Sequence, residues 1–229
     1  MRHAPLPPEA RPLSRRALCA TLLLPLALGA CTTTQTTAPA KAPPRVAPSD
    51  AARYGALSDG GFAIPGVDPD DLKPRNVRQL VADPTGQTPG TLVVDPKNRF
   101  LYLVQENGKA LRYGVGVGRE GLEFSGKADV GYKREWPGWR PTDAMIAREP
   151  ARYRPWAGGM AGGADNPLGA RALYLFKDGK DTLYRIHGTN EPWTIGEAVS
   201  SGCIRMMNQD VIDLYRRVPD GAKVVVLPA

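Results

Sequence analysis

The chain has 229 residues, 42 % of them hydrophobic and 23 % charged, which suits one soluble domain of ordinary size with extensions. Gly (25) and Pro (23) are frequent, which argues against a helical bundle and for a loop-rich, β-leaning fold. The formal net charge is +7, but the basic residues are scattered and form no stripe with interleaved aromatics, so nucleic acid is not the expected partner; a mildly basic surface suits some acidic polymer.

The first 31 residues, "MRHAPLPPEARPLSRRALCATLLLPLALGAC", read as a targeting segment. Arg2, Arg11, Arg15 and Arg16 precede an apolar run from Ala17 to Ala30, the length of a signal-peptide core and short for a membrane span. The run ends in "LGAC", which resembles a bacterial lipobox, so residues 1–30 are expected to be a lipoprotein signal peptide and Cys31 the lipidated first mature residue. A cleaved secretory peptide with an incidental cysteine is the alternative. "SRRAL" weakly resembles a twin-arginine signal. Residues 31–51, rich in Thr, Ala and Pro, read as a disordered tether, and 52–88 as an extension packed on the domain, with a short helix around Pro74 to Val81.

From residue 89 onward strand signals become regular. "GTLVVD", "RFLYLVQ" and "ALRYGVGVG" are separated by the turns "PKN" and "ENGK", a meander of hairpins. Residues 119–168, rich in Gly, Pro and Trp, read as a long functional loop or lid with some strand content. "YLF" and "TLYRIHG" flank the turn "KDGKD", "NQDVIDLYRRV" carries the period of one amphipathic helix, and "GAKVVVLP" is a buried closing strand. The expected fold is mainly β, a sandwich or mixed sheet with one or two helices and a long active-site loop.

Of three cysteines, Cys19 lies in the signal and Cys31 is assigned to the lipid, which leaves Cys203 alone in an oxidising compartment with no disulfide partner. A lone thiol there is a liability unless it is used. "SSGCIR" gives it small neighbours, and the Gly202 and Cys203 amides could face a developing oxyanion. His187 ends the strand "TLYRIHG" and is the one histidine left after processing; a hairpin-like excursion would return the chain so that imidazole and thiol meet, the imidazole taking the thiol proton to give a thiolate–imidazolium pair. The bland readings are a satisfied core histidine and a small buried hydrophobe.

"HGT" followed by "SSGCIRMMNQDVIDLY" resembles the L,D-transpeptidase catalytic domain of the YkuD type, and the signal marks a lipoprotein member. "PGTLVVD" and "NPLGARALYL" match as well, so the resemblance covers about residues 89–229, the expected catalytic domain. It implies an L,D-transpeptidase-type fold, Cys203 as nucleophile, His187 as base, the Gly188 carbonyl as orienter of the imidazole, and an oxyanion hole from Gly202 and Cys203. Arg205 would hold substrate or loop, or form a structural ion pair. Ser200 matches the family serine, while Ser201 departs from it, since many members carry histidine there. The implied partners are peptidoglycan stem peptides, a donor tetrapeptide and an amine acceptor, with the membrane engaged through the lipid. The implied site is the periplasm, on the outer-membrane side because Thr32 rather than aspartate follows Cys31.

Rival readings keep the site but change the acceptor: water for an L,D-carboxypeptidase, or a protein lysine for a ligase. A non-catalytic peptidoglycan-binding lipoprotein is a rival of another class, and a thiol redox protein lacks a second cysteine. "GVGREG" (Gly116 to Gly121) fits G-x-G-x-x-G but opens no helix, so no nucleotide is expected. Neither a cofactor nor a metal is implied, as one histidine and one thiol make no ligand cluster. Trp136, Trp139 and Trp156 either line a groove for sugar or peptide or pack the lid.

Overall fold

The computed structural model describes residues 46–118, 125–200 and 202–229, with Val199 and Ser200 as backbone alone. The signal peptide, Cys31, most of the tether, Arg119 to Gly121 of the glycine motif and Ser201 lie outside these residues. In chain order the elements are α1 (Pro48–Ala51), the hairpin β1 (Leu57–Asp59) and β2 (Phe62–Ile64), β3 (Gln79–Ala82), β4 (Leu92–Asp95), β5 (Phe100–Val104), β6 (Lys109–Gly114), β7 (Val117–Gly118), β8 (Gly126–Glu135), α2 (Asp143–Arg148), α3 (Pro150–Tyr153), β9 (Arg171–Lys177), β10 (Lys180–His187), β11 (Ala198–Ser200), β12 (Ile204–Arg205), α4 (Asn208–Arg217) and β13 (Lys223–Val226).

Nine of these strands form one mixed sheet in the order β12-β10-β9-β8-β13-β4-β5-β6-β3, so the fold is mainly β. Its hairpins are written in the turn residues. Between β5 and β6, Asn107 and Gly108 both take positive φ (58° and 63°), and between β9 and β10 Asp178 and Gly179 do the same (51° and 72°). These are the two-residue turns whose twist matches the flanking strands. The sheet is closed over by α4. Its Val211 and Leu214, fully buried, pack into one cluster with Leu173, Leu175, Val130, Leu92 and Ile186. Full burial of a leucine of this kind stabilises by about 1.5–3 kcal/mol, and α4 thereby sets the position of the chain just before it, where the candidate site lies.

Two stretches differ from their sequence reading. In the segment 119–168, described from residue 125 onward, the strand content is larger than the sequence suggests. β8 runs through its first part as an interior strand, pairing with β13 and β9, and Tyr132 stacks on Tyr174 at 4.2 Å between ring centroids. Charged residues on both faces, among them Lys133, which donates to the Tyr215 and Val218 carbonyls at the end of α4, and a register shift between Val130 and Tyr132 break the alternation that marks a strand. The expected helix near Pro74 is a single 3₁₀ turn, Pro74–Asn76, after which the chain extends into β3 and pairs with β6 at the sheet edge. The proline starts a turn readily, but no apolar helical stripe follows to sustain it.

The residues before β3 are tied to the domain by polar contacts. Arg171 donates both terminal nitrogens to Asp59 (2.7 and 2.9 Å), and Trp136 Nε1 donates to the same carboxylate (3.0 Å). At the start of α4, Gln209 Nε2 donates to the Pro65 carbonyl (3.1 Å), and the Tyr54 hydroxyl donates to Asp210 (3.1 Å). Burial pushes the Asp210 carboxyl up to about 7, against the opposing field of Arg78.

Candidate active site

His187 is the last residue of β10 and Cys203 immediately precedes β12. The excursion between them is not hairpin-like. β12 runs parallel to β10, with Ile186 opposite Ile204 and His187 opposite Arg205. On the way the chain passes the 3₁₀ turn Pro192–Thr194 and then β11, which pairs in parallel with β7. A parallel return places Cys203, two residues before Arg205, alongside the part of β10 that precedes His187. The Cys203 thiol accordingly lies 3.9 Å from the Leu183 carbonyl oxygen. Leu183 sits at φ 64° in the irregular part of β10, where Asp181 Oδ1 accepts the Leu183 N–H (2.8 Å) and Thr182 Oγ1 accepts that of Tyr184 (3.1 Å). Side chains thus replace the ladder bonds that the bulge removes.

The imidazole of His187 is buried, and its Nδ1 lies 2.6 Å from the Gly188 carbonyl oxygen. A carbonyl can only accept, so Nδ1 carries the proton and Nε2 keeps the lone pair. The backbone on either side of this carbonyl is held from several sides. Met206 N–H donates to the His187 carbonyl (2.8 Å) and Gly188 N–H to the Arg171 carbonyl (3.0 Å). Asn208, the first residue of α4, donates Nδ2 to the Thr189 carbonyl (2.9 Å) and accepts the Ala170 N–H at Oδ1 (2.9 Å). A Cβ on Gly188 would stand 2.2 Å from that Oδ1, so a side chain at 188 would displace either the amide or the carbonyl that faces His187.

Arg205 donates to Glu191 at 2.8 Å, and Glu191 also meets Arg152 of α3 at 3.5 Å. Of its two expected uses, an ion pair is therefore the one occupied. Arg185 is held bidentate by Asp181 (2.7 and 2.8 Å). Both cations act on both members of the pair. Burial, and then the Arg205 and Arg185 charges, push the His187 imidazole down to about 3, while the Gly188 carbonyl resists. Burial pushes the half-buried Cys203 thiol up, opposed by the Arg185 amide and the Arg185 and Arg205 charges. Burial therefore disfavours the charged form of each group, whereas the residue types alone suggest a thiolate–imidazolium pair. Low dielectric disfavours both charged forms before a substrate is present.

Gly202 adopts φ 130°, a conformation that side chains rarely take, and borders a small apolar recess with Val94, Val117, Tyr184, Ile204 and Val226. Gly116 exchanges backbone hydrogen bonds with Arg205 (2.8 and 2.9 Å), so the start of the glycine motif braces β12. Among the tryptophans, Trp136 packs on Phe62 at 4.4 Å and Trp139 on Tyr153 at 6.2 Å, both in packing roles, while Trp156 and, on the excursion, Trp193 are exposed. Among the described residues no three His, Cys, Asp or Glu side chains converge as a metal site would require.

Sequence reasoning missed Asn208, Glu191 and Arg185. The first had a signal, an amide residue opening a helix, but its side chain reaches sideways to two loops instead of capping. Glu191 announces itself only through partners distant in sequence, and Arg185, though paired with nearby Asp181, bears on the site only where the fold brings it to Cys203.

A histidine aimed by its own neighbour's carbonyl thus lies beside a strand entered through Gly-Cys. The family model of the L,D-transpeptidase catalytic domain, YkuD, matches residues 89–226. The chain belongs to this family. It is 33 % identical over 173 residues to the probable L,D-transpeptidase YbiS of Escherichia coli (strain K12), covering 73 % of this chain and 55 % of that protein. It is 35 % identical over 186 residues to the probable L,D-transpeptidase ErfK/SrfK of Salmonella typhimurium, covering 78 % and 58 %. A crystal structure of a probable carnitine operon oxidoreductase from Brucella melitensis is 57 % identical, covering 68 % of this chain and 96 % of its own, with a TM-score of 0.48. The chain spans somewhat more than half the length of the curated relatives it matches.

Proposed function

We propose that this YkuD-family protein is an exported peptidoglycan L,D-transpeptidase, held to the outer membrane by a lipid on Cys31, with Cys203 as nucleophile and His187 as base. The observation that carries the chemistry is the 2.6 Å contact of the buried His187 Nδ1 with the Gly188 carbonyl, on a strand in register with the one entered through Cys203. It fixes the tautomer with Nε2 ready to accept a proton and does the work of a triad acid.

In the reaction, Cys203 Sγ attacks the carbonyl carbon of the L-centre of diaminopimelate in a donor tetrapeptide, and its proton passes to His187 Nε2. The Gly202 and Cys203 amides face the oxyanion. The bond to the terminal D-alanine breaks, its nitrogen takes the proton from His187, and a thioester remains. An acceptor amine then attacks the thioester, gives its proton to His187, and restores the thiol, leaving a 3→3 cross-link or a protein attached to diaminopimelate. Burial that disfavours both charged forms suits a sequence in which charge separates as the bond to carbon forms. Arg185 and Arg205, whose charges favour the thiolate, lower the cost of that step.

Incubation of the purified chain with disaccharide tetrapeptide, resolved by mass, tests the reading. Cross-linked dimer with release of D-alanine is expected. Tripeptide alone would make the protein an L,D-carboxypeptidase, and wall binding without turnover would make it a non-catalytic anchor.

A further inference from the structure

On the face of the sheet formed by β5 and β6, the fold assembles a cationic group that the linear sequence scatters. Arg75 stands on the 3₁₀ turn before β3, Arg99 in the turn before β5, and Arg112 on β6. The Arg75 and Arg112 guanidinium carbons lie 5.1 and 4.3 Å from the centroid of one ring, Phe100. Arg75 donates to the Asn98 carbonyl (3.0 Å) and Arg112 to the Arg75 carbonyl (3.4 Å), which fixes both forks. Among the described residues none of the three arginines has a carboxylate partner, whereas Arg152, Arg185 and Arg205 near the candidate active site all do. Asp95, in the same turn as Arg99, is occupied by Asn98. Exposed Lys73 joins the group and binds Glu197 at 2.8 Å; Lys73, Arg99 and Arg75 together hold that carboxyl below its usual range.

Covering Phe100 explains the arginine stems. It does not explain why these cations gather around so little negative charge, an arrangement that repels itself until an anion arrives. The group also borders the catalytic loop. Glu197 precedes β11, which leads to Gly202 and Cys203, and the Arg99 carbonyl accepts the N–H of Val115, next to the Gly116 that braces Arg205. The Phe100 ring is 8 % exposed and covered by guanidinium groups, so it offers no platform on which nucleic-acid bases could stack.

We propose that Lys73, Arg75, Arg99 and Arg112 form a second binding surface, beside the catalytic cleft, for the carboxylates of peptidoglycan stem peptides neighbouring the one being cut. The inference rests on the proposed substrate. The planar forks of Arg75 and Arg112, fixed against Phe100, are preorganised for bidentate capture of carboxylate. The surface would hold the enzyme on a strand of many stems while single donors enter and leave the site.

The test is sedimentation of the full chain, made inert by Cys203→Ala, with purified sacculi over a series of salt concentrations. Arg75→Gln/Arg112→Gln keeps two polar stems over Phe100 and should bind about tenfold more weakly, with a shallower salt dependence. Arg140→Gln/Arg216→Gln removes the same charge from exposed positions elsewhere and should bind like the parent. Sacculi whose carboxylates have been amidated should lose the chain. Melting curves of both pairs should match the parent, and if the Arg75/Arg112 pair unfolds, Arg75→Gln alone, on an exposed turn, replaces it. Equal binding by the Arg75 variants, equal losses in both charge-matched pairs, undiminished binding to amidated sacculi, or preferential capture by phosphatidylglycerol vesicles would each overturn the proposal. Failure of the active-site reading has a separate signature, the absence of a covalent carbapenem adduct on the native chain.

Discussion

Two connections in this sheet join strands in opposite ways. β5 and β6 are joined by Asn107-Gly108 and run antiparallel, while β10 and β12 are joined by residues 188–203 and run parallel. The first is specified by its own turn residues. The second is specified by what holds it from outside: Arg171 and Met206 on the peptide of His187 and Gly188, Asn208 on the Thr189 carbonyl, and β7 on β11. A strand pair that needs only its turn can tolerate damage to the turn. A site built on a parallel return depends on distant residues, so small changes there should cost activity out of proportion to stability.

The largest expected effect comes from His187→Gln, which keeps a polar side chain but removes the base. Acylation of Cys203 by a carbapenem should slow by about 10²–10⁴-fold, and a rate within a factor of two of the parent would remove His187 from the mechanism. Gly188→Ala should follow at about 10²-fold, because its Cβ would stand 2.2 Å from Asn208 Oδ1 and move the carbonyl facing the imidazole. Asn208→Ala loses one hydrogen bond to that loop, at Thr189, and one to the neighbouring Ala170. Stopped-flow acylation should fall roughly tenfold while the melting temperature falls by only a few degrees; a stability loss with an unchanged rate would make Asn208 merely structural. The smallest effect belongs to the hairpin. Gly108→Ala, at φ 63°, should cost about 1 kcal/mol in urea unfolding and leave the acylation rate alone. If it slowed acylation as much as Asn208→Ala, the contrast between the two connections would collapse.

Protonation gives a further view of the same site. His187 is held neutral below its ordinary range, so the unfolded chain binds a proton that the folded chain refuses. This contribution to stability is complete above about pH 6.5, the free imidazole value, and is lost as the pH falls from there towards about 3. The His187→Gln variant should lose less stability than the parent over that window, measured by urea unfolding at fixed pH values. Because burial raises the Cys203 thiol, its alkylation by a small neutral reagent should accelerate into the alkaline range. A plateau already reached at acidic pH would show a resting ion pair.

Much of the fold was legible because its signals are local. Asn107-Gly108 and Asp178-Gly179 mark hairpins by backbone sterics alone, and the apolar positions of α4 repeat with the helical period. β8 was hidden by the charges of Lys127, Lys133 and Arg134 and by its bulge, although Ala128 and Val130 point into the core. At the site, His187 and Cys203 stood out by scarcity and by motif, and Gly188 by the resemblance. Their relative placement was not legible, because a parallel return and a hairpin leave the same spacing in the sequence. Glu191 and the Phe100 cation group were invisible for the same reason: each is defined by partners that only the fold brings near, as is the effect of Arg185 on Cys203.

The central claim is that Cys203 is the nucleophile of an acyl-transfer site based on His187. Intact-protein mass after exposure to a carbapenem, with peptide mapping of the adduct, tests it most directly. The account predicts one covalent adduct per chain, located on Cys203 and absent from Cys203→Ala. An unmodified native chain, or an adduct that persists in Cys203→Ala, would contradict it.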